Sequence, residues 1–269
     1  MKLAANTYCY RALDRESVFR SMAGLGLKGV EIITHDPCYH VDTLDTVEIR
    51  EKTLKLLDEL GLEIVAISPH TEFLVFDKRE RRQQIEHSMA QIDLAELYGV
   101  KLVRIFSGGK VPEGRTWREC VDAVLEGLKP CVEYAEKRGM RLAVESHGQF
   151  GNDLEAMLTI LDEINSPMFG VTLDTANFTY YNVDVIEAIE KINKRIYHTH
   201  LKDCCISSEK RYGTAVGEGD LDFHAILKKL IEVGYSGAYC IEYEGKSTPE
   251  EGFRRSIEYL NKLGSELGL

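Results

Sequence analysis

Eight short apolar runs of strand length alternate with eight amphipathic stretches along the chain, and this alternation restricts the fold more than any single residue does. The runs are KLAANT (2–7), KGVEII (28–33), EIVAIS (63–68), KLVRIFS (101–107), RLAVE (141–145), FGVTLD (169–174), RIYHTHLK (195–202) and GAYCIE (237–242). Helices are expected near 15–26, 43–60, 79–98, 116–138, 153–164, 183–193, 222–233 and 249–266. Apolar strands separated by helices imply an all-parallel sheet covered by those helices. No break in composition divides the 269 residues, so a single domain over 1–269 is expected. A doubly wound open sheet is the competing architecture, but eight regular units at this length favour a closed (β/α)8 TIM barrel.

Gly26, Gly61, Gly99, Gly139 and Gly234 each fall between a helix and the next strand, where a left-handed cap turns the chain sharply. The longer segments, 33–43, 106–116 and 202–221, all follow strands. A barrel carries its active site on that face. Gly24, Gly26 and Gly29 match G-x-G-x-x-G, but the run closes a helix and opens a strand. A dinucleotide fingerprint has the opposite polarity, so that reading is set aside.

The formal net charge of −11 argues against a broad grip on nucleic acid or anionic lipid. Seven cysteines with no framework spacing read as reduced thiols, and the N-terminus turns polar too soon for a signal peptide. A cytoplasmic protein is expected, with neither nucleic acid nor membrane as partner. A homodimer is allowed, although no segment marks an interface. Lys202 and Arg211 could hold a phosphate, but no glycine-rich cradle accompanies them.

Four metal-ligating residue types stand at the ends of the last four strands: Glu145 in LAVESHG, Asp174 in GVTLDTANF, His200 in YHTHLKD and Glu242 in YCIEYEG. An unpaired charge there would cost several kcal/mol, roughly, so it demands a counter-ion, a ligand or a metal. Three carboxylates and an imidazole around one point suit a single divalent ion such as Mn²⁺, Mg²⁺, Co²⁺ or Zn²⁺. His198, His200 and Lys202 alternate along one strand and share a face. His200 is the better ligand, His198 an orienting or core group one pleat deeper, and Lys202 a partner for substrate or for the carboxylates. Glu31, His70 and His147 also lie at or just past strand ends and are candidates for substrate contact, with a structural ion pair the alternative for Glu31. Asn177 in LDTAN could hydrogen-bond a hydroxyl or cap the following segment.

In this order, GVEI (29–32), LAVESHG (142–148), GVTLDTAN (170–177), HTHLKD (198–203) and VGEGDLDF (216–223) resemble the xylose isomerase-like barrel superfamily of sugar isomerases and epimerases. The resemblance covers essentially the whole chain. It implies that Glu145, Asp174, His200 and Glu242 hold the metal, and that Glu145 and Glu242 also move protons next to a sugar carbonyl through an enediolate. It sets Gly217, Glu218 and Gly219 in a G-E-G loop, either at the substrate or as a turn shaping the rim. Two departures narrow it. The additional histidine ligands of the DNA-repair enzyme endonuclease IV are missing, with Phe106 and Ser107 at one position and Asn177 at another. Asn177 also replaces a histidine that contacts substrate in ketose 3-epimerases. The implied activity is a metal-dependent isomerase or epimerase acting on a small carbohydrate. The alternatives are an inosose or keto-sugar dehydratase and, further off, a non-catalytic binding barrel.

Overall fold

The protein's structure, a computed structural model, describes residues 1–36, 38–206 and 211–269. The barrel strands are β1 (Leu3–Asn6), β2 (Gly29–His35), β4 (Glu63–Ser68), β5 (Leu102–Phe106), β6 (Arg141–Glu145), β7 (Phe169–Asp174), β8 (Ile196–Leu201) and β11 (Tyr239–Ile241). Each pairs in parallel with its neighbours, and β1 pairs with both β2 and β11, so the sheet closes on itself. This is the expected closed eight-stranded parallel barrel with its surrounding helices.

The principal outer helices are α1 (Arg15–Gly24), α2 (Val47–Leu60), α3 (Lys78–Leu97), α4 (Trp117–Glu136), α6 (Leu154–Ile164), α8 (Val185–Ile192), α9 (Phe223–Glu232) and α10 (Pro249–Leu267). Each begins at an Asp or Thr whose side chain accepts a backbone N–H of the first turn. At Thr116 and Thr248 a glutamate three residues on completes a capping box. At the other end Gly61 caps α2 in the left-handed region, and the same sign of φ recurs at Gly26, Gly99, Gly139 and Gly234. Gly24 ends α1 and Gly29 opens β2, the polarity that excluded a dinucleotide site.

The main apolar core lies between the strands and the helices, with Phe19, Phe169, Phe223 and Phe253 fully buried in it. Each such side chain contributes about 1.5–3 kcal/mol. A separate small cluster joins Ala4, Ala238 and Cys240 with Val65. Above it the barrel residues are polar or charged: Glu31, Ser68, Arg104, Glu145, Asp174, His198 and His200 are all buried. Tertiary closure thus surrounds charged groups that local pattern alone would leave at strand ends.

Some elements differ from expectation. Strand β2 continues to His35 and pairs with the antiparallel β3 (Cys38–Tyr39), so 33–43 is partly ordered as a hairpin. The segment after β8 folds into a second antiparallel pair, β9 (Asp203–Ile206) with β10 (Arg211–Thr214). Part of the long 202–221 segment, 207–210, lies outside the described residues. Two short helices, α5 (Gly148–Gly151) and α7 (Thr175–Tyr180), follow β6 and β7 at once. Among the described residues, no helix is long and apolar enough to cross a membrane.

Candidate metal centre

Four residues from four adjacent strands meet at the C-terminal end of the barrel. Glu145 closes β6, Asp174 closes β7, His200 is the penultimate residue of β8, and Glu242 follows β11. Parallel pairing sets Asp174 beside His200 and Cys240 beside His200. One potential ligand atom from each of Glu145, Asp174, His200 and Glu242 lies within 4.8 Å of every other. Nδ1 of His200 is 3.3 Å from Glu242 Oε2, 3.5 Å from Glu145 Oε1 and 4.0 Å from Asp174 Oδ2.

The hydrogen-bond inventory of these groups is incomplete. Glu145 Oε2, Asp174 Oδ2, His200 Nδ1 and Glu242 Oε2 are all buried, and none has a hydrogen-bond partner. Buried polar atoms are seldom left this way, since each orphan costs about 1–3 kcal/mol. These four ligand-type atoms, converging from four strands without a hydrogen bond and with only Glu145 Oε2 in close ion-pair contact outside the four, to Arg104, fit a divalent cation.

The other atoms of Glu145, Asp174 and His200 are occupied. Asp174 Oδ1 accepts the Asn177 amide at 2.8 Å, which caps α7. His200 donates from Nε2 to Glu31 Oε2 at 2.7 Å, which fixes the ring and aims Nδ1 at the carboxylates. The same Glu31 oxygen accepts from His198 Nε2 at 2.9 Å and from Cys240 Sγ at 3.2 Å. Its other oxygen accepts from the Ser68 hydroxyl and lies 3.7 Å from Arg104 Nε. Arg104 stands 3.1 Å from Glu145 Oε2, linking the two carboxylates from below.

The electrostatics follow from this packing. Burial would raise Glu242, yet the Lys202 ammonium and His200 hold it well below the usual carboxylate range. His200 and Arg104 overcome burial in the same way to lower Glu145. Asp174 goes the other way: burial, with Glu242 and Glu145 close by, pushes it well above its ordinary value. Burial alone would lower His200, but Glu31, Glu145 and Glu242 raise it well above the usual imidazole range. Without a cation, a proton on this ring carries part of the balancing charge.

A cavity of about 240 Å³ opens at this end of the barrel. One wall is an arc of rings, Tyr8, His35, His70, Phe106 and His147, with successive centroids 4.3–6.3 Å apart. The other wall carries Arg104, Glu145, Lys202, Glu242 and Glu244. Lys202 Nζ lies 2.6 Å from Glu244, 3.6 Å from Glu242 and 3.8 Å from Asp174. A larger open concavity, about 810 Å³, surrounds the strand starts Glu63 and Arg141 and includes none of these groups.

Among the residues singled out for substrate contact, His70, His147 and Lys202 line the cavity. Glu31 does not. It is fully buried and both its oxygens accept hydrogen bonds from barrel side chains, which is the structural alternative expected for it and leaves it out of reach of the cavity. Asn177 is also outside the lining. Its backbone N–H is bonded to Asp174, and its side chain donates to Glu145 Oε1 at 3.4 Å. The cap of the following segment is Asp174, not Asn177, which lies inside α7.

The G-E-G loop is a turn held by Asp203 and contributes no residue to the cavity lining. Gly217 and Gly219 each donate 2.9 Å hydrogen bonds to Asp203 Oδ2, and a Cβ at Gly219 would collide with the Asp203 carboxylate and the Cys204 carbonyl. Glu218 lies 3.3 Å from Arg255 and does not line the cavity.

Tyr8, His35, Arg104 and Glu244 were not singled out in the sequence, and Phe106 was noted only as a departure from endonuclease IV. Arg104 did leave a signal, as a lone cation inside the apolar run KLVRIFS that must find a carboxylate once buried. Glu244, two residues past Glu242 in IEYEG, left a weaker one.

The profile of the family described as xylose isomerase-like TIM barrel matches residues 19–263. An inosose dehydratase of Clostridium perfringens is 26% identical over 267 residues, covering 86% of this chain and 84% of the relative. A fructoselysine 3-epimerase of Shigella flexneri is 24% identical over 255 residues, 90% of each chain. The crystal structure of the IOLI protein with a binding zinc atom superposes with a TM-score of 0.81 at 21% identity, covering 98% of this chain and 99% of that one. The closed barrel and the profile match over most of its length establish that this chain belongs to the xylose isomerase-like TIM-barrel family.

Proposed function

We propose that the protein is a divalent-metal-dependent sugar isomerase or epimerase, with Glu145, Asp174, His200 and Glu242 as metal ligands and Glu145 and Glu242 as the proton-transfer pair. The observation that carries this reading is the convergence of four orphaned, buried ligand atoms beside a cavity. The fructoselysine 3-epimerase relative and the zinc-containing structural neighbour support it.

A bound divalent ion would polarise a substrate carbonyl and stabilise negative charge developing on its oxygen. The protein's own groups handle the proton. Glu145 and Glu242 both line the cavity. Lys202 and His200 keep Glu242 ionised, and His200 and Arg104 do the same for Glu145. One carboxylate takes the proton from the carbon beside the carbonyl, and the other returns one; return to the opposite face gives epimerisation. His70, His147 and Lys202 offer hydrogen bonds to hydroxyls. The ring wall limits water at the reacting carbon.

A second reading has a specific support, the inosose dehydratase relative. The same proton removal followed by loss of a β-hydroxyl gives a dehydratase. Deuterium uptake from D₂O, followed by NMR over a panel of ketoses and inososes with Mn²⁺-loaded protein, tests both. Exchange at a carbon beside the carbonyl is expected, and the product separates epimerase, isomerase and dehydratase. Absence of exchange across the panel with Mn²⁺ bound would count against carbon-acid chemistry.

The metal itself can be tested by pH. A ligand imidazole must be neutral and a ligand carboxylate ionised. His200 and Asp174 are both raised, so protons compete with the metal at these two residues. Affinity should therefore rise with pH, and binding at neutral pH should release protons. Titration calorimetry of Mn²⁺ in buffers of different ionisation enthalpy reads that release directly. A pH-independent affinity with no proton release would show that neither His200 nor Asp174 holds a proton in the metal-free site.

A further inference from the structure

We infer that the site selects an uncharged substrate, an unphosphorylated polyhydroxy carbonyl compound about the size of one six-carbon sugar, and that Glu244 enforces the selection. The inference rests on the proposed metal-assisted carbonyl chemistry and narrows its substrate class.

Size is the first observation. The cavity of about 240 Å³ is smaller than the roughly 300–1,000 Å³ common for drug-sized ligands. It has room for a single sugar or cyclitol. The arc from Tyr8 to His147 gives it one wall of rings that suits a C–H face, while the charged wall meets the hydroxyls.

Charge is the second. Five carboxylates, Glu31, Glu145, Asp174, Glu242 and Glu244, are connected by ion pairs to two cations, Arg104 and Lys202. Full ionisation leaves a deficit of three, which a bound dication reduces to one. A phosphate dianion would enter a site already negative. The two cations are also engaged. Arg104 is buried against Glu145 and Glu31, and its second nitrogen donates to the Pro69 carbonyl at 3.1 Å. Lys202 has three carboxylates, the nearest being Glu244 at 2.6 Å.

Recognition of a phosphate ester draws on Arg or Lys, or on backbone amides in a glycine-rich turn. Among the described residues, the cavity lining contains no glycine and no other lysine or arginine. Burial lowers His35 and His70, which disfavours an imidazolium at either position. Glu244 is the partly exposed member of the charged wall, 40% exposed where Lys202 is 6%. It both neutralises Lys202 and presents a carboxylate to an incoming ligand.

The test compares matched pairs, D-tagatose with its 6-phosphate and L-ribulose with its 5-phosphate. Enhancement of ligand proton relaxation by Mn²⁺ bound to the protein reports binding without turnover. In the wild type the neutral member should bind at least tenfold more tightly than its ester. Glu244→Gln should narrow that ratio at least threefold by weakening rejection of the ester. Equal or tighter binding of the esters by the wild type would overturn the inference, as would a ratio unchanged in Glu244→Gln. Binding of neither member would overturn the size and charge assignment itself. Failure of the metal reading would show separately, as no Mn²⁺ uptake. The same ratio would then be read by saturation-transfer NMR without metal. Binding of neutral sugars without deuterium exchange would count against the isomerase reading and leave the substrate charge class standing.

Discussion

Glu242→Gln is expected to lower the rate of deuterium exchange and of turnover by about 10²–10⁴-fold, the usual contribution of one positioned proton-transfer group. The substitution keeps the shape of the side chain and one carbonyl oxygen, but it removes the charge held in place by Lys202 and His200. Lys202 keeps Asp174 and Glu244 as partners, so the barrel should stay folded. Mn²⁺ stoichiometry near one, with exchange suppressed, would separate loss of proton transfer from loss of the ion. Exchange within tenfold of wild type in a metal-loaded variant would remove Glu242 from the proton-transfer pair.

Glu31→Gln should weaken Mn²⁺ binding by about 10–100-fold, the effect expected when the group orienting a ligand histidine is altered. Glu31 is fully buried and accepts from His198, His200, Cys240 and Ser68, with Arg104 close by. An amide nitrogen must then face at least one of those donors, and Arg104 loses half of its charge compensation. A stability loss of about 3–5 kcal/mol is expected, as when one partner of a buried ion pair is removed. Calorimetric Mn²⁺ titration and thermal unfolding measure the two effects separately. Affinity unchanged in a folded Glu31→Gln variant would show that His200 keeps its orientation without this carboxylate. Ser68→Ala, which removes one donor and no charge, should leave Mn²⁺ affinity within threefold.

These effects separate what is local in this fold from what is not. The runs EIVAIS, RLAVE and FGVTLD coincide with their strands residue for residue, because buried parallel strands bounded by glycine and capping residues are specified within a few positions. Boundaries slipped where tertiary contacts extend or truncate an element. Strand β2 gained Thr34 and His35 by pairing with Cys38 and Tyr39, and the last strand stops at Ile241. Short helix α7 was not anticipated, since what starts it is the side chain of Asp174, read as a ligand but also an N-cap.

The site shows the same division. Glu145, Asp174, His200 and Glu242 were recognisable because each is a ligating residue at the mouth end of an apolar run, a pattern contained in a handful of neighbours. Glu31 was recognisable only as a strand-end acid. Its bonds to His198, His200 and Cys240 span 167, 169 and 209 residues and exist because β1 closes the barrel between β2 and β11. Pairing of neighbouring strands, β5 with β6 and β8 with β11, brings Arg104 to Glu145 and Lys202 to Glu244, and the ring wall from Tyr8 to His147 follows the strand ends around the sheet. Strand, helix and ligand type were legible in the order of residues because propensity, periodicity and the cost of burying a charge act over short distances. The positioning role of Glu31, the pairing of both cations and the size of the cavity were not legible. They depend on strand stagger around a closed sheet, which brings together side chains whose separation along the chain carries no trace of their contact.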